Sequence, residues 1–345
     1  MIGYNSYQQE VVKRSFYQKP NFLNEEYYTH GAEYFYRAST GKLIVSVYEM
    51  NTEKPIKGAK VSIRKQEGNG HIITTIETNE IGQTNVVSLP APPKEYASDP
   101  LGPKPYSEYI LTIEAPNYGV KVIRGVQIFA DTTARQKVEM APIIRTGNQQ
   151  SIKIIDIPEH KLTEQFLERQ FQPQYFSCIP SIVNVKIPKF IIVHDGDPHA
   201  QAPRYRVSFK DYIKNVAASE IYPTWPKEAL RANIICMTSF ALNRIYRGYY
   251  FVRGFTISSS AQFDQSYNHG KNTFAEIDGI VDEVYNQYIA NPYSTEPLLI
   301  PYCSGIRTCP IGYFSRWGSK YLAEQGRDYL NIIRNYYPVA EIRFV

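Results

Sequence analysis

The chain has 345 residues, 43% hydrophobic and 21% charged, a globular balance that excludes a disordered or collagen-like polymer and leaves room for two domains. Its 38 basic and 33 acidic residues leave a net charge of +5, too small an excess for a dedicated nucleic-acid binder, and no run of roughly 18–20 apolar residues is present to span a bilayer. Aromatic residues are abundant: 29 Tyr, 16 Phe and 2 Trp supply flat faces with polar tips, suited to sugars or protein surfaces as well as to a core.

Residues 1–40 read as an irregular leader, polar and Tyr-rich, without the apolar segment of a cleavable secretory signal. From Gly41 the texture becomes strict alternation: Leu43, Val45 and Val47 on one face, a turn at Glu53-Lys54-Pro55, then Ala59, Val61 and Ile63. Further short runs follow at Ile72–Ile76, Thr84–Leu89, Tyr109–Ile113, Val120–Ile123, Val126–Phe129 and Gln136–Met140. Short strands at this spacing predict an antiparallel β-sandwich over 41–143. Gly41-Lys42-Leu43-Ile44-Val45, Pro55-Ile56-Lys57-Gly58-Ala59-Lys60-Val61, Thr78-Asn79-Glu80-Ile81-Gly82-Gln83-Thr84, Tyr118-Gly119 and Gly125-Val126 make this stretch resemble the carboxypeptidase-regulatory, transthyretin-like sandwich family. No catalytic constellation lies in it, so a presenting or positioning role is expected.

A linker near Arg145–Gln150 leads into extended apolar runs broken by Pro158, Pro173, Pro180 and Pro188. Beyond Ser208 the period changes to that of helices, so the second domain, 151–345, is expected to be α+β. Ser208 with Asp211 forms a capping-box arrangement ahead of a helix carrying Phe209, Tyr212, Ile213, Val216 and Ala217. A second helix starts at Thr224-Trp225-Pro226 and runs through Ile245. Thr273 with Glu276 predicts the cap of a third, ending before Pro292; two short helices stop at Gly326 and Pro338, and a final strand covers Ile342–Val345.

Glu220 is the residue on which chemistry is expected. Steps of 4, 3 and 4 place it on one helical stripe with Phe209, Ile213 and Val216, so a carboxyl sits on an apolar face. It also sits at the helix C-terminal end, where the macrodipole disfavours negative charge. Both circumstances favour a proton-carrying general acid. The same position suits a glutamate that ends a helix and pairs with a nearby Lys or Arg.

The run from Phe209-Lys210-Asp211-Tyr212-Ile213 through Val216-Ala217-Ala218-Ser219-Glu220-Ile221-Tyr222-Pro223-Thr224-Trp225-Pro226-Lys227-Glu228-Ala229-Leu230-Arg231-Ala232 resembles the signature of the stage II sporulation protein D (SpoIID/LytB) family. A second match comes at Ser315-Arg316-Trp317-Gly318, Leu322-Ala323-Glu324-Gln325-Gly326 and Ile332-Ile333-Arg334-Asn335-Tyr336-Tyr337. With a sandwich in front, the order is similar to the spore cortex-lytic SleC group. The resemblance implies a SpoIID-type domain and a peptidoglycan lytic transglycosylase of the spore cortex. Glu220 would protonate the glycosidic oxygen between N-acetylmuramic acid and N-acetylglucosamine, then take the proton of the muramic C6 hydroxyl. Gln265, Tyr267, Tyr222, Trp225, Ser304, Ser315, Arg316 and Trp317 are the implied substrate contacts, and Tyr302 and Tyr313 join the aromatic lining of the expected cleft. Asp264 is weighed as a second acid.

The resemblance further implies glycan strands as partner, proteolytic activation of the leader, and localisation at the spore; no cofactor is expected. The family carries Gln where this chain has Arg316, a longer, always charged, donor-only side chain. A relative that binds peptidoglycan or coat components without cleaving is therefore the alternative. Cys303 and Cys309 favour a local disulfide or free thiols over zinc, which normally wants four ligands, and Cys236 reads as a buried thiol. His194-Asp195-Gly196-Asp197-Pro198-His199 reads as a polar turn, with no metal expected.

Overall fold

The structure, a computed structural model, describes residues 39–68, 70–143, 152–163, 182–306 and 308–345. The leader up to residue 38, the linker Arg145–Gln150, Pro173, Pro180 and Cys178 lie outside the described residues. Ala38–Val345 forms one compact unit.

The alternation from Gly41 onward becomes β1 (Ser39–Glu49), whose Leu43, Val45 and Val47 are fully buried. There follow β2 (Lys60–Lys65), β3 (Ile72–Glu77), β4 (Val87–Ala91), β5 (Tyr106–Glu114), β6 (Val120–Phe129), β7 (Thr133–Met140) and β8 (Ile152–Asp156). The two expected strands Val120–Ile123 and Val126–Phe129 are one bulged strand. Gly125 sits between them at φ +79°, and a Cβ there would stand 2.4 Å from the Ile157 carbonyl oxygen, so only glycine fits the bulge.

Pairing is mixed where an antiparallel sandwich was expected. β1 runs parallel to β7 and β6 runs parallel to β8, the remaining pairs of these strands being antiparallel. The reason is that β7 turns out of β6, through Asp131 at φ +57°, into the opposite sheet and lands beside β1 in the same direction. One sheet has the order β3-β2-β5-β6-β8. The other is β12-β7-β1-β4, and its first strand comes from far along the chain.

The second half supplies β9 (Phe190–His194), β10 (Arg204–Ser208), α1 (Phe209–Glu220), α2 (Lys227–Tyr246), β11 (Ile257–Ser258), β12 (Thr273–Phe274) and α3 (Ala275–Val284). It continues through β13 (Gln287–Ala290), β14 (Tyr302–Cys303), β15 (Phe314–Ser315), α4 (Arg316–Glu324), α5 (Tyr329–Tyr336) and β16 (Glu341–Phe344). The Ser208 hydroxyl caps α1 by accepting the Asp211 N–H at 3.1 Å, as its sequence predicts. α2 is buried almost all round, a central helix with little amphipathic signature.

One expectation fails here. Thr273 does not cap α3: β12 pairs with β7, Thr273 opposite Arg135, and the hydroxyl donates to Asp278 Oδ2 at 3.1 Å. Glu276 instead accepts the Thr133 N–H at 3.1 Å across the sheet junction. The helix does end before Pro292, at Val284, and residues 287–290 then pair with β16.

The junction between the sheets and the helices is a packed seam. Asn272 and the Gln127 backbone exchange two hydrogen bonds of 3.1 Å, and Gln136 Nε2 donates to the Gly270 carbonyl at 2.9 Å. Phe129 packs against Phe274 and Tyr222, with ring centroids 5.3 and 5.4 Å apart, and His160 lies 4.7 Å from the Tyr222 ring. Lys271 is buried in this seam, its ammonium donating to Gln127 Oε1 at 2.7 Å, a neutral partner. Burial pushes its pKa from 10.5 down to about 7, opposed by the more distant Glu108 charge. Below pH 7 the folded and unfolded chains both carry this proton and the penalty is complete. From pH 7 towards 10.5 the unfolded chain binds more protons, so stability rises with pH. Urea unfolding should show a gain of about 2 kcal/mol between roughly pH 7 and 9 in wild type. Lys271→Met should lack that gain; an equal rise in the variant would rule out Lys271 as its source.

Candidate active site

Glu220 ends α1 on the apolar stripe its spacing predicts: Phe209, Ile213, Val216 and Glu220 are all within 1% of complete burial. Small residues at 217–219 let the loop after Phe263 lie across the helix end. Asn215 and Asn268 clasp each other through two 2.8 Å hydrogen bonds, side chain to backbone, and Asn268 Nδ2 donates to Ser219 Oγ at 3.0 Å. That clasp sets the Ser266 N–H on Glu220 Oε1 at 2.7 Å.

The Tyr302 hydroxyl stands 2.8 Å from the same Oε1 and 2.8 Å from the Asp264 carbonyl oxygen. Burial, reinforced by the Glu220 charge, pushes this phenol well above its ordinary range, so it stays a neutral donor. The other carboxyl oxygen, Oε2, accepts from Arg316 Nη2 in a buried ion pair whose side chains are 3% and 0% exposed. The guanidinium also lies over the Tyr302 ring, 3.8 Å from its centroid. Arg316 reaches this position because the parallel pair β14–β15 brings residues 302 and 314 side by side and Ser315 then starts α4, its hydroxyl accepting the Gly318 N–H at 3.0 Å.

The arrangement is that of a carboxylate held by three donors, one a cation. A general acid must instead offer a proton to a leaving oxygen within hydrogen-bond reach. The structure pairs this helix-ending glutamate with an arginine.

The implied substrate contacts, Ser304 apart, are buried side chains. Gln265 is fully buried, its Oε1 accepting from Tyr212 at 3.0 Å and its Nε2 donating to the Met237 carbonyl at 3.2 Å. Tyr267 stacks on Tyr212 at 5.7 Å. Tyr222, Trp225 and Trp317 form a buried cluster, Trp225 and Trp317 being 4.9 Å apart, and Trp225 Nε1 donates to the Ala97 carbonyl at 3.2 Å. These rings seal the seam with the sheets, and Tyr313 is buried as well. Ser315 acts as a helix cap, and the Ser304 carbonyl accepts the Trp317 N–H at 3.0 Å.

Asp264 forms its own buried pair, 2.7 Å from Arg244 Nε, while its Oδ2 accepts the Ser258 N–H at 2.9 Å. Burial pushes its pKa up and Arg244 opposes this. It is not set out as a second acid. Cys303 and Cys309 are joined in a disulfide, and burial pushes the Cys236 thiol well up. In the 194–199 turn, His194 Nε2 lies 3.1 Å from the Asp197 carbonyl oxygen. Among the described residues no group of three or more His, Cys, Asp or Glu forms a metal cluster, and no helix is long and apolar enough to cross a membrane. A cleft of about 460 Å³ lined by Lys186, Lys189, Lys210 and Tyr285 lies at the opposite end of α1 from Glu220, roughly 16 Å along the helix.

Sequence reasoning missed Ser266 and Tyr302 as partners of Glu220 and Arg244 as the partner of Asp264. No local pattern marks them; a tyrosine 82 residues away in the chain becomes a neighbour only through the β14–β15 pair.

A mixed β-sheet unit fused to an α+β region, with a buried Glu–Arg pair where α1, the 264–268 loop and α4 meet, defines the class of molecule. Residues 200–290 match the family model for SpoIID, the Stage II sporulation protein. That stretch holds α1, α2 and the 264–268 loop; Tyr302 and Arg316 lie beyond it. No curated protein matches the chain. Among solved structures it is similar to catechol 1,2-dioxygenase of Acinetobacter radioresistens, at 14% identity and TM-score 0.23, covering 34% of this chain and 58% of that one. The minor pilin of Streptococcus agalactiae matches at 15% identity and TM-score 0.22, over 33% of this chain and 49% of the pilin. The 5-hydroxyisourate hydrolase of Klebsiella pneumoniae matches at 19% identity and TM-score 0.20, over 30% of this chain and 92% of the hydrolase. Likenesses this slight say nothing of activity.

Proposed function

We propose that the chain is a SpoIID-type protein of peptidoglycan that binds glycan strands, with its glutamate locked rather than poised for cleavage. The SpoIID match over 200–290 and the motif resemblance around Glu220 and Ser315–Gly318 support the ligand class. The single observation behind the locked state is the Arg316–Glu220 ion pair, which places a fixed cation on one of the two carboxyl oxygens. A lytic transglycosylase is the second reading. It is favoured by the neutral donors on Oε1, Ser266 N–H and Tyr302 hydroxyl, which leave the arginine as the one charged contact to be displaced.

Incubation of the purified protein with spore-cortex peptidoglycan and with peptide-stripped glycan separates these readings. Wild type and Glu220→Gln are expected to co-sediment alike with both, and mass spectrometry should find no new 1,6-anhydromuramic ends. Anhydro ends that appear with wild type and vanish in Glu220→Gln would overturn the locked reading in favour of the transglycosylase. Failure to co-sediment would remove glycan as the partner.

A further inference from the structure

Tyr302 and Arg316, the two side chains that hold Glu220 from the C-terminal half, are carried by a very small piece of structure. β14 and β15 have two residues each and pair in parallel, an arrangement with few backbone hydrogen bonds of its own. The disulfide Cys303–Cys309 adds a covalent restraint at this point. Cys303 directly follows Tyr302, and the loop it closes packs on the residues flanking Arg316: the Ser304 carbonyl accepts the Trp317 N–H at 3.0 Å, and a Cβ on Gly305 would fall 2.1 Å from Ser315 Oγ. The cross-link therefore ties the strand bearing Tyr302 to a loop pressed against the helix start bearing Arg316.

We propose that the Cys303–Cys309 disulfide is a redox-sensitive clasp that keeps Tyr302 and Arg316 on Glu220, and that a dithiol reductant opens it. Cys303 is 3% exposed and Cys309 is half-buried, so the attacking thiolate reaches the Cys309 sulfur and Cys303 leaves as thiolate. The second thiol of the reductant then breaks the mixed disulfide. Two electrons and two protons pass from the dithiol to the chain, giving two cysteine thiols and an oxidised reductant. With the loop released, the parallel pair is left to its own short ladder and the two donors lose their fixed approach to the carboxylate.

This rests on the reading of Arg316–Glu220 as a lock, and its test reads the lock directly rather than any glycan chemistry. Hydrogen–deuterium exchange of the full chain is compared before and after treatment with a dithiol, with intact mass confirming the gain of two hydrogens. The Ser266 amide, which donates to Glu220, and the 302–317 segment should exchange roughly tenfold faster after reduction, the equivalent of one lost hydrogen bond to a charged group. β2 and β5 should not change. Cys309→Ser, with no reductant, should reproduce the result. Unchanged exchange at Ser266 in the reduced chain and in Cys309→Ser would overturn the proposal. So would an equal rise in β2 and β5, which would make the disulfide a general staple. Glycan cleavage by the oxidised chain would refute the locked reading of the site and leave this exchange result standing, so the two failures are distinguishable.

Discussion

Arg316→Ala should lower folding stability by about 3–5 kcal/mol, because it strands the Glu220 charge in a site with no exposure. The remaining donors, Ser266 N–H and the Tyr302 hydroxyl, are neutral and both address Oε1, so Oε2 loses its partner outright. The double variant Glu220→Met/Arg316→Met should recover most of the loss, since replacing both members of a buried pair by apolar groups removes the desolvation cost along with the attraction. Urea unfolding of wild type, the single variant and the double variant measures both effects. An Arg316→Ala protein as stable as wild type would mean that the pair does not hold the site.

Trp225→Ala should cost about 3–5 kcal/mol as well, through lost packing rather than charge. The ring is 4% exposed, wedged between Tyr222 at 5.9 Å and Trp317 at 4.9 Å, and its indole N–H satisfies the Ala97 carbonyl on the sheet side of the seam. Truncation opens a cavity at the place where sheets and helices are joined. The variant should therefore also unfold less cooperatively, with Trp317 fluorescence and far-ultraviolet circular dichroism no longer giving one coincident transition. A change within ~0.5 kcal/mol, the size of an ordinary surface substitution, would show that the ring bears on a ligand surface instead of the seam.

Local physics was legible in the residues. Alternation marked β1, β2 and β5, the Ser208 cap marked the start of α1, and the 209–213–216–220 stripe placed Glu220 indoors. Each of these depends on side chains within a few positions of one another. Thr273 and Glu276 show where that reach ends: their spacing matches a capping box, but β7 lies alongside, its Thr133 N–H takes the Glu276 carboxyl, and the Thr273 hydroxyl goes to Asp278. The aromatic residues gathered around the motifs were equally visible, although whether they faced solvent or a neighbouring sheet was not. Phe129 and Ala97, which bury them, lie about a hundred residues earlier in the chain.

The sequence by itself determined that a carboxyl would sit on the apolar face at the end of a helix, and that an arginine replaces the glutamine of the resembled motif. Only the tertiary structure decided that these two residues meet, 96 positions apart, and that Tyr302 and Ser266 complete the set. The physical reason is that helical periodicity says which way a side chain points but not what is opposite it. The partner of a buried charge is chosen by how distant strands pair and how helices pack, and here the two-residue β14–β15 pair makes that choice.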